Sequence, residues 1–278
     1  MPSVSVIVPT KNSTATLGAC LRSIRAQTHP AIELIVVDNH STDGTMTIAR
    51  GFTDRVYTYG PERSSQRNFG AAQASGDHLL FIDSDMVLAP DVVRQCVEKC
   101  ANDPGTVAVV IPEESFGIGF WAQCKRLERS FYVDVNWMEA ARFFRREVFV
   151  RAGGYDESMV SGEDWDLSQR IERTGALARI PARILHDEGC PSLGSIVRKK
   201  LYYARWFSVY ARQQAHANSV SRQTAVLARY GLFFRNPARL FSRPALGIGM
   251  LFMKTIEFGM GAVGYAVGVF NTKREREV

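Results

Sequence analysis

Cysteine is scarce in this sequence, and its arrangement excludes two kinds of stabilising site. The 278 residues include five cysteines, an odd number without two closely spaced pairs: Cys20, Cys96, Cys100, Cys124 and Cys190. A zinc knuckle needs such pairs, and a disulfide framework needs an even count. The sequence therefore predicts neither kind of site, and a reducing cytosol is the compartment that fits best.

Uninterrupted apolar runs long enough to span a membrane are also missing. Residues 245–270 are mostly apolar, but Lys254 and Glu257 divide them into flanks at 245–253 and 258–270. Each flank is shorter than the roughly 20 residues that a spanning helix needs. Lys254 and Glu257 can pair, because side chains three residues apart share a helix face. We therefore expect a helical hairpin on or dipping into a membrane surface, with close helix packing at Gly247, Gly249, Gly259, Gly261, Gly264 and Gly268.

Acidic residues are rare in the last third of the chain. From Gly194 onward there are fourteen basic and three acidic side chains, a net charge of +11, whereas residues 1–193 carry −5. Aromatic residues are interleaved with these cations, which suits an anionic membrane surface, where each cation contributes about 1 kcal/mol. The sequence has no nucleic-acid-binding motif, and its acidic first part argues against such a partner. We expect a cytoplasmic protein that is peripheral on the inner face of the cell membrane. A homo-oligomer formed through the C-terminal helices is the alternative.

Short apolar runs alternate with helical patterns through the first part of the chain. Residues 3–9 and 32–38 are rich in Val and Ile, and between them apolar residues recur at helical spacing over 17–24, with Ser13 or Thr14 placed to cap the helix. Further helices are predicted at 45–50, 64–74, 91–100 and 164–173, and further strands at 55–58, 78–82, 107–111 and 178–184. This alternation predicts an α/β fold with a mostly parallel sheet flanked by helices, whose ligands bind at the carboxyl ends of the strands.

The composition changes near residue 190. Beyond Pro191 the chain consists of long helical patterns that are basic and aromatic. We therefore divide it into an α/β domain at 1–190 and a basic helical region at 191–278. Because a strand pattern begins at residue 3 and ends in a turn at Thr10, no secretory signal is expected.

Two carboxylates follow the strand predicted at 78–82. Asp83-Ser84-Asp85 comes directly after an apolar run, and oxygen ligands at the end of a buried strand suit Mg²⁺ or Mn²⁺ bound together with substrate phosphates. An ordinary acidic turn would explain the same three residues.

Polar residues also follow the first two strands. Asp38 ends the second strand and can accept hydrogen bonds from a base or ribose, whereas a capping role is enough to explain Asp43. Pro9, Thr10 and Asn12 border the same edge. Arg67, on the helix before Asp83, could reach a donor phosphate or hold Asp83, although a surface arginine would explain its position equally well.

A third acidic group opens the helix predicted at 164–173. Acidic residues in a first helical turn are favoured by the helix dipole, which accounts for Glu163 and Asp164 but leaves Trp165 beside them unexplained. A carboxylate on a rigid helix start next to an aromatic side chain can act as a general base toward a sugar hydroxyl.

In combination these motifs resemble the family 2 glycosyltransferases, whose nucleotide-sugar-binding fold is called GT-A. The likeness covers residues 3–187, within the domain at 1–190. The matched landmarks are Val8-Pro9-Thr10-Lys11-Asn12, Asp38 through Gly44, Arg67-Asn68 with Gly70, Asp83-Ser84-Asp85, Gly153-Gly154-Tyr155-Asp156 and Gly162-Glu163-Asp164-Trp165.

The resemblance implies an inverting transfer in which Asp164 removes the acceptor proton. It assigns Asp38 to the nucleotide, Asp83 to the ribose side and Asp85 to a divalent metal, Mn²⁺ or Mg²⁺, whose shell His186 completes. Both the metal and basic groups stabilise the departing diphosphate, while the base acts on the opposite face. Further contacts to the nucleotide-diphospho-sugar donor are expected from Pro9, Thr10, Asn12, Arg67 and Ser84.

One departure from the family pattern concerns the acceptor. Processive members carry Gln-x-x-Arg-Trp after the catalytic acid, whereas this chain has Tyr202-Tyr203-Ala204-Arg205-Trp206. We therefore expect transfer of one sugar to a hydroxyl acceptor, such as a lipid-linked glycan intermediate of surface polysaccharide or glycoconjugate synthesis. Residues expected on the acceptor or phosphate side are Glu163, Trp165, Arg198, Lys199 and Lys200.

Two other functions share some of these features. A haloacid-dehalogenase-like phosphatase also has Asp-x-Asp after an apolar strand, but places it on the first strand, whereas here three predicted strands precede the strand that Asp83 follows. A non-catalytic scaffold that binds nucleotide sugars is the other alternative, against which the pair Glu163 and Asp164 argues.

Overall fold

Complete burial of the first strand makes it the centre of a sheet. A computed structural model describes residues 1–213 and 225–274, and every residue of the first strand, from Val4 to Thr10, is buried in it. Val4, Val6 and Val8 face one apolar cluster, whereas Ile7 faces another. Since successive side chains of a strand point to opposite faces, the sheet has a core on each side.

Seven strands form the main sheet in the order β3-β2-β1-β4-β8-β6-β9. All neighbours are parallel except β8, which runs antiparallel to both β4 and β6. A smaller sheet has the order β5-β10-β7. The strands are β1 (Val4–Thr10), β2 (Ile32–Asp38), β3 (Val56–Thr58), β4 (His78–Phe81), β5 (Met86–Leu88), β6 (Thr106–Val110), β7 (Glu113–Phe116), β8 (Ala141–Arg145), β9 (Ala176–Arg179) and β10 (Ile184–Asp187).

Helices occupy both faces of the sheet and the C-terminal part of the chain. Those of the first part are α1 (Leu17–Arg25), α2 (Thr45–Arg50), α3 (Arg63–Gln73), α4 (Val92–Asn102), α5 (Phe120–Ser130), α6 (Arg146–Arg151) and α7 (Glu163–Glu172). Those that follow are α8 (Leu193–Gln213), α9 (Val226–Phe234), α10 (Pro237–Leu240) and α11 (Pro244–Arg274). The mostly parallel α/β architecture predicted from the sequence is thereby confirmed.

The chain forms two compact units. The sheet unit comprises Met1–Glu114, Ala140–Glu157 and Glu163–Asp187, and the helical unit comprises Ser115–Glu139, Ser158–Gly162 and Glu188–Val278. Helix α5 therefore belongs with the C-terminal helices, because its apolar face joins their core at Cys124, Phe131, Ile196, Phe233, Leu240, Met250 and Met253. The contiguous domains predicted at 1–190 and 191–278 stay a prediction.

Several local predictions require correction. The N-cap of α1 is Thr16 rather than Ser13 or Thr14, and within the described residues its side chain makes no capping hydrogen bond. The strand predicted at 178–184 is two strands, β9 and β10, because Pro181 lies between them and cannot donate a ladder hydrogen bond.

The predicted hairpin at 245–270 is wrong, because α11 is one continuous helix. Lys254 and Glu257 pair as expected, at 2.5 Å, but each is only 3% exposed, so they do not interrupt the helix. Within the described part of the chain, Pro244–Val267 is the one segment whose length and composition would let it cross a membrane, and one third of its apolar window is buried in protein.

Candidate active site

Three neighbouring strands bring the predicted polar residues to one edge of the main sheet. In the parallel pairing of β1 with β2, Pro9 stands opposite Val37 and Thr10 opposite Asp38. Strand β4, on the other side of β1, ends two residues before Asp83. These positions are the carboxyl ends of parallel strands, beyond which open α/β sheets bind their ligands.

Hydrogen bonds join the loops that follow β1 and β2. Asp38 is 1% exposed and accepts hydrogen bonds from the backbone N–H and hydroxyl of Ser41, at 2.8 and 2.5 Å. Asn12 has a left-handed φ of 47° and accepts at Oδ1 from the Thr42 amide, 2.9 Å away. The Thr10 hydroxyl is buried and makes no hydrogen bond within the described residues. The two loops thus present hydrogen-bonded polar groups at this edge of the sheet, and the buried Thr10 hydroxyl remains able to donate a hydrogen bond.

Arg67 is fully buried and binds three carboxylates. Its Nη2 donates to Asp83 Oδ1 at 2.7 Å, and its Nη1 lies 3.0 Å from Asp164 Oδ1 and 3.4 Å from Glu163 Oε1. Burial alone would lower the pKa of this guanidinium, but Asp164 and then Asp83 hold it well above its usual value. The sequence alone was equally consistent with a surface arginine at position 67, whereas the structure places Arg67 at the centre of the acidic cluster.

Asn68, which follows Arg67, explains why position 154 requires glycine. Asn68 donates to the Tyr155 carbonyl at 2.8 Å and accepts from the Tyr155 amide at 2.9 Å. A Cβ at Gly154, where φ is +68°, would lie 2.6 Å from Asn68 Oδ1. The Tyr155 ring in turn lies beneath the Arg67 guanidinium, 5.0 Å from centroid to Cζ. Only glycine fits this backbone, and the resulting clamp holds α3 against the loop before α7.

Asp83 contacts a second buried arginine, which sequence reasoning missed. Arg142 of β8 lies 3.4 Å from Asp83 Oδ2 and donates to Glu113 Oε1 at 2.7 Å. Burial would raise the pKa of the Asp83 carboxyl, but Arg67 and then Arg142 hold it well below its usual value. An arginine within the apolar run of β8 was the available signal for this contact.

Asp85 and His186 come together where β5 pairs with β10. The two strands run antiparallel with His186 opposite Met86, and the Asp187 amide donates to the Asp85 carbonyl at 2.8 Å. His186 Nε2 lies 3.3 Å from Asp85 Oδ2, and its Nδ1 lies 3.8 Å from Glu113 Oε2. The side chain of Asp85 is 35% exposed and that of His186 is 16% exposed.

This pair fits a divalent ion that takes most of its ligands from substrate and water. Within the described residues no three His, Cys, Asp or Glu side chains are grouped to hold a metal. Mg²⁺ is commonly bound through one or two carboxylates plus substrate phosphates, and carboxylate oxygens also suit Mn²⁺. Asp85 and His186 would therefore hold the ion only with a diphosphate beside them.

The first turn of α7 presents two acidic side chains with different surroundings. Glu163 is 4% exposed, and burial together with the adjacent Asp164 raises the pKa of its carboxyl. The Asp164 side chain is 27% exposed. Its Oδ1 accepts from Arg67, and no other hydrogen bond reaches Asp164 from the described residues. Trp165 is half-buried. Asp164 is thus the more exposed of the two carboxylates, and its Oδ2 has no hydrogen bond within the described residues.

Comparison with known proteins gives the family. The model for "Glycosyl transferase family 2" matches residues 5–155, more than half of the chain. The chain belongs to glycosyltransferase family 2. A PGL/p-HBAD biosynthesis glycosyltransferase of Mycobacterium bovis is 31% identical over 188 residues, which cover 63% of this chain and 72% of the relative. Validoxylamine A glucosyltransferase of Streptomyces hygroscopicus is 29% identical, with 63% of this chain and 52% of the relative covered.

Solved structures show the fold of the glycosyltransferase. The mannosyltransferase PcManGT from Pyrobaculum calidifontis, in complex with GDP-Man and Mn²⁺, has a TM-score of 0.65 and 20% sequence identity. The match covers 95% of this chain and 87% of PcManGT. The expected GT-A fold and glycosyltransferase activity are confirmed, and the phosphatase alternative is not favoured.

Other predicted site residues of the glycosyltransferase are placed as follows. Ser84 donates to Ser13 Oγ at 2.9 Å, which ties the Asp83-Ser84-Asp85 turn to the loop after β1. Arg198, Lys199 and Lys200 lie on α8 in the helical unit, the first two exposed and the third partly buried. Their role on the acceptor or phosphate side stays a prediction.

Proposed function

We propose that this glycosyltransferase moves one sugar from a nucleotide-diphospho-sugar to a hydroxyl acceptor, with inversion and with a divalent metal. The observation that carries the proposal is the double contact of Arg67 with Asp83 and Asp164. One rigid guanidinium fixes the spacing between a carboxylate suited to the donor and a carboxylate suited to the acceptor. Such fixed spacing is the condition for positioning two substrates for direct displacement.

Asp164 acts as the general base in this proposal. Its Oδ1 accepts a hydrogen bond from Arg67, which leaves its second oxygen to accept the acceptor's hydroxyl proton. As that proton moves to Asp164, the acceptor oxygen bonds to the anomeric carbon. The bond from that carbon to the diphosphate breaks, and the nucleoside diphosphate leaves with the electron pair. Attack opposite the leaving group inverts the anomeric centre.

The donor end of the site is assigned to the edge formed by β1, β2 and β4. Asp38 and the buried Thr10 hydroxyl offer an acceptor and a donor of hydrogen bonds to the nucleotide, and Asp83 contacts the ribose side. Asp85 and His186 would hold Mn²⁺ or Mg²⁺, which when bound neutralises the charge of the diphosphate. The Mn²⁺ and GDP-Man held by the similarly folded PcManGT support this donor class.

Replacement of the base tests the reaction. Asp164→Asn should lower kcat about 100-fold to 10,000-fold while nucleotide-sugar binding is retained, because general-base catalysis contributes that range. Glu172→Gln, at an exposed position of the same helix, is the matched control and should transfer normally. Normal turnover in Asp164→Asn would refute the assigned base.

Two further measurements test the mechanism separately. The anomeric configuration of the product, determined by NMR, should be opposite to that of the donor, and retention would contradict inversion. Asp85→Ala should weaken Mn²⁺-dependent nucleotide binding in calorimetry by about tenfold, as the loss of a charged contact of roughly 1.4 kcal/mol implies. Unchanged binding would remove Asp85 from the metal site.

We also propose that the helical unit docks on an anionic membrane, where a lipid-linked acceptor would be presented. Helix α11 buries Met250 and Met253 in the core of the helical unit, but it also exposes large apolar side chains. Its charged pair Lys254 and Glu257 is buried, whereas Ile248, Phe252 and Val263 are 63%, 53% and 51% exposed. Of the sixteen large apolar side chains most exposed within the described residues, thirteen belong to the helical unit. Such apolar surface together with the local net charge of +11 suits anionic lipid.

Sedimentation with vesicles tests the docking surface. The full chain should bind phosphatidylglycerol-containing vesicles, and the double substitution Ile248→Ser with Phe252→Ser should weaken binding at least about tenfold, since each buried large apolar side chain contributes about 1.5–3 kcal/mol. Val150→Ser, which changes a residue of the sheet unit that is 63% exposed, is the control and should bind normally. Absence of binding by the full chain would exclude the proposal. A dimer that the double substitution dissociates would assign the surface to self-association instead.

A further inference from the structure

Four charged side chains form a closed ring inside the helical unit. Lys254 of α11 lies 2.5 Å from Glu257 and 2.8 Å from Glu128 of α5. Lys125 of α5 contacts the same two carboxylates, at 2.5 Å to Glu257 and 3.4 Å to Glu128. Glu128, Lys254 and Glu257 are each no more than 6% exposed. Because two ammonium groups meet two carboxylates, the ring neutralises itself, as buried charges must.

Arg229 of α9 adds a third positive charge beside this ring. Its Nη1 lies 3.5 Å from the Tyr132 hydroxyl, which donates to Glu128 Oε1 at 2.7 Å. The Arg229 guanidinium also stands over the Tyr132 ring, 5.6 Å from its centroid. The contact of Arg229 with the ring of charges therefore runs through the neutral Tyr132 hydroxyl. The carboxylate that this hydroxyl reaches, Glu128, is already bound by Lys125 and Lys254.

Lys200 of α8 is the fourth cation, and its ammonium group makes no hydrogen bond or ion pair in the described part of the chain. Its charge is attracted by Glu257, but Lys254, Arg229 and Lys125 repel it. The side chain passes close over α11, since a Cβ at Gly261 would lie 3.3 Å from Lys200 Cε. The absence of a larger residue at Gly261 leaves the space that the lysine stem occupies.

The two carboxylates of the ring, Glu128 and Glu257, are each already bound by two lysines. A partly buried ammonium group without an ion pair of its own is costly, because burial removes water and the more distant attraction of Glu257 does not replace it. Burial and then the charge of Lys254 accordingly lower the pKa of Lys200 to about 8. An external anion would relieve this cost. A phosphate group suits the place, since its several acceptor oxygens can take charge-assisted hydrogen bonds from more than one cation.

We propose that Lys200 is the centre of a phosphate-binding site within the helical unit, with Lys254 and Arg229 supplying supporting positive charge. The ligand is a phosphate group, carried by a lipid headgroup or free in solution. The site lies on α5, α8, α9 and α11 and contains no residue that the proposed transfer step uses, although Lys200 is among the residues expected from the sequence on the acceptor or phosphate side. A test of this phosphate site is therefore independent of a test of the proposed catalytic role of Asp164.

Calorimetric titration of the full chain tests the site. Two probes are used with EDTA present, namely inorganic phosphate and dihexanoyl phosphatidic acid below its micellar concentration. The chain should bind at least one of them, and Lys200→Met should weaken that binding about tenfold or more, which corresponds to the loss of one charge-assisted hydrogen bond. Lys200→Arg should retain binding within about threefold, because it keeps the charge.

Arg235→Met is the control, since Arg235 is an exposed cation of the same unit to which no binding role is assigned. It should bind within about twofold of the unchanged chain, because an exposed charge contributes little. Binding of the lipid alone identifies a headgroup site, and binding of both probes identifies a general phosphate site; either result supports the proposal. The proposal is overturned if neither probe binds, or if Arg235→Met loses as much affinity as Lys200→Met. Asp164→Asn should leave both titrations unchanged.

Discussion

At the scale of single residues, the burial of Arg67 makes it the most sensitive position of the site. Its guanidinium is fully buried among Asp83, Glu163 and Asp164. Arg67→Met would leave these carboxylates without their shared partner, and breaking a buried ion pair from one side costs about 3–5 kcal/mol. Urea unfolding should show a loss of that size in the free energy of unfolding, accompanied by loss of transfer activity.

Arg63 provides the comparison on the same helix. It lies 3.2 Å from Glu163, but its side chain is 39% exposed. Because a solvated ion pair contributes about 1 kcal/mol or less, Arg63→Met should lower the free energy of unfolding by no more than that. Equal losses in the two variants would contradict the central position of Arg67.

Lys200 gives a prediction of pH dependence. Burial and then Lys254 lower the pKa of Lys200 to about 8; Glu257 opposes this effect, whereas Arg229 and Lys125 add to it. Between pH 8 and the unfolded-state pKa of about 10.4, the unfolded chain binds the proton that the folded chain has released, so stability rises with pH. Lys200→Met removes this group. The free energy of unfolding of the Lys200→Met variant, relative to that of the unchanged chain, should therefore fall by about 2 kcal/mol between about pH 7.5 and about pH 10.

The comparison in this measurement is with Lys199, the exposed neighbour of Lys200 on α8. Because an exposed charge contributes little, Lys199→Met should change the free energy of unfolding by less than about 1 kcal/mol at either pH. Chemical denaturation in parallel at each pH gives both differences, and effects of other titrating groups cancel between variants. A constant difference for Lys200→Met would mean that its ammonium group is as well solvated as that of Lys199.

The sequence pointed to the acidic residues of the candidate site and to Arg67, but not to Arg142. Asp83, Asp85 and Asp164 could be predicted because each follows a strand or opens a helix, which are local patterns. Arg142 could not, because its contact with Asp83 depends on the antiparallel insertion of β8 between β4 and β6. That pairing joins residues distant in sequence, and the charge of Arg142 itself obscures the apolar run by which a strand is recognised.

At the scale of elements, the close approach of α8 and α11 depends on glycine. A Cβ at Gly264 would lie 2.8 Å from the Leu201 carbonyl oxygen and 2.9 Å from Ala204 Cβ. Gly264→Ala should therefore lower the free energy of unfolding by about 1–3 kcal/mol, because packed helices must separate. Thermal or urea unfolding of the full chain measures this effect.

Gly259 is the matched position in the same helix. Nothing lies within 4 Å of a Cβ placed there, so Gly259→Ala should raise the free energy of unfolding by up to about 1 kcal/mol through helix propensity alone. A stabilising effect of Gly264→Ala would show that the two helices are not packed as described.

Helix α11 also shows why its form was not predicted from the sequence. Lys254 and Glu257 divide the apolar run into two short segments, a pattern that favours a hairpin when each residue is considered by itself. In the structure, Lys125 and Glu128 of another helix neutralise this pair. The continuity of α11 therefore depends on partners more than 120 residues earlier in the chain, which no local pattern contains.

At the scale of the whole molecule, the uneven charge distribution predicts how membrane binding responds to salt. The last third carries +11 and the remainder −5. Raising the salt concentration from about 0.05 M to about 0.5 M shortens the range of electrostatic attraction several-fold. Binding to phosphatidylglycerol-containing vesicles should weaken at least about tenfold over this range.

Neutral phosphatidylcholine vesicles are the control for the salt series. The chain binds these vesicles through apolar contacts, so at low salt it should bind them more weakly than the anionic vesicles. This binding should change little as salt is added. Sedimentation of both vesicle types from one salt series gives the comparison. Salt-independent binding to the anionic vesicles would show that the positive charge of the helical unit does not face the lipid.

One guanidinium contacts both Asp83, through Nη2, and Asp164, through Nη1, so in the proposed mechanism the donor side and the acceptor side share one cation. A ligand that shifts Arg67 at one carboxylate therefore also acts on the other. If donor binding raises acceptor affinity through this contact, acceptor binding must raise donor affinity by the same factor. In kinetic terms, the two substrates should then bind synergistically, whichever of them arrives first.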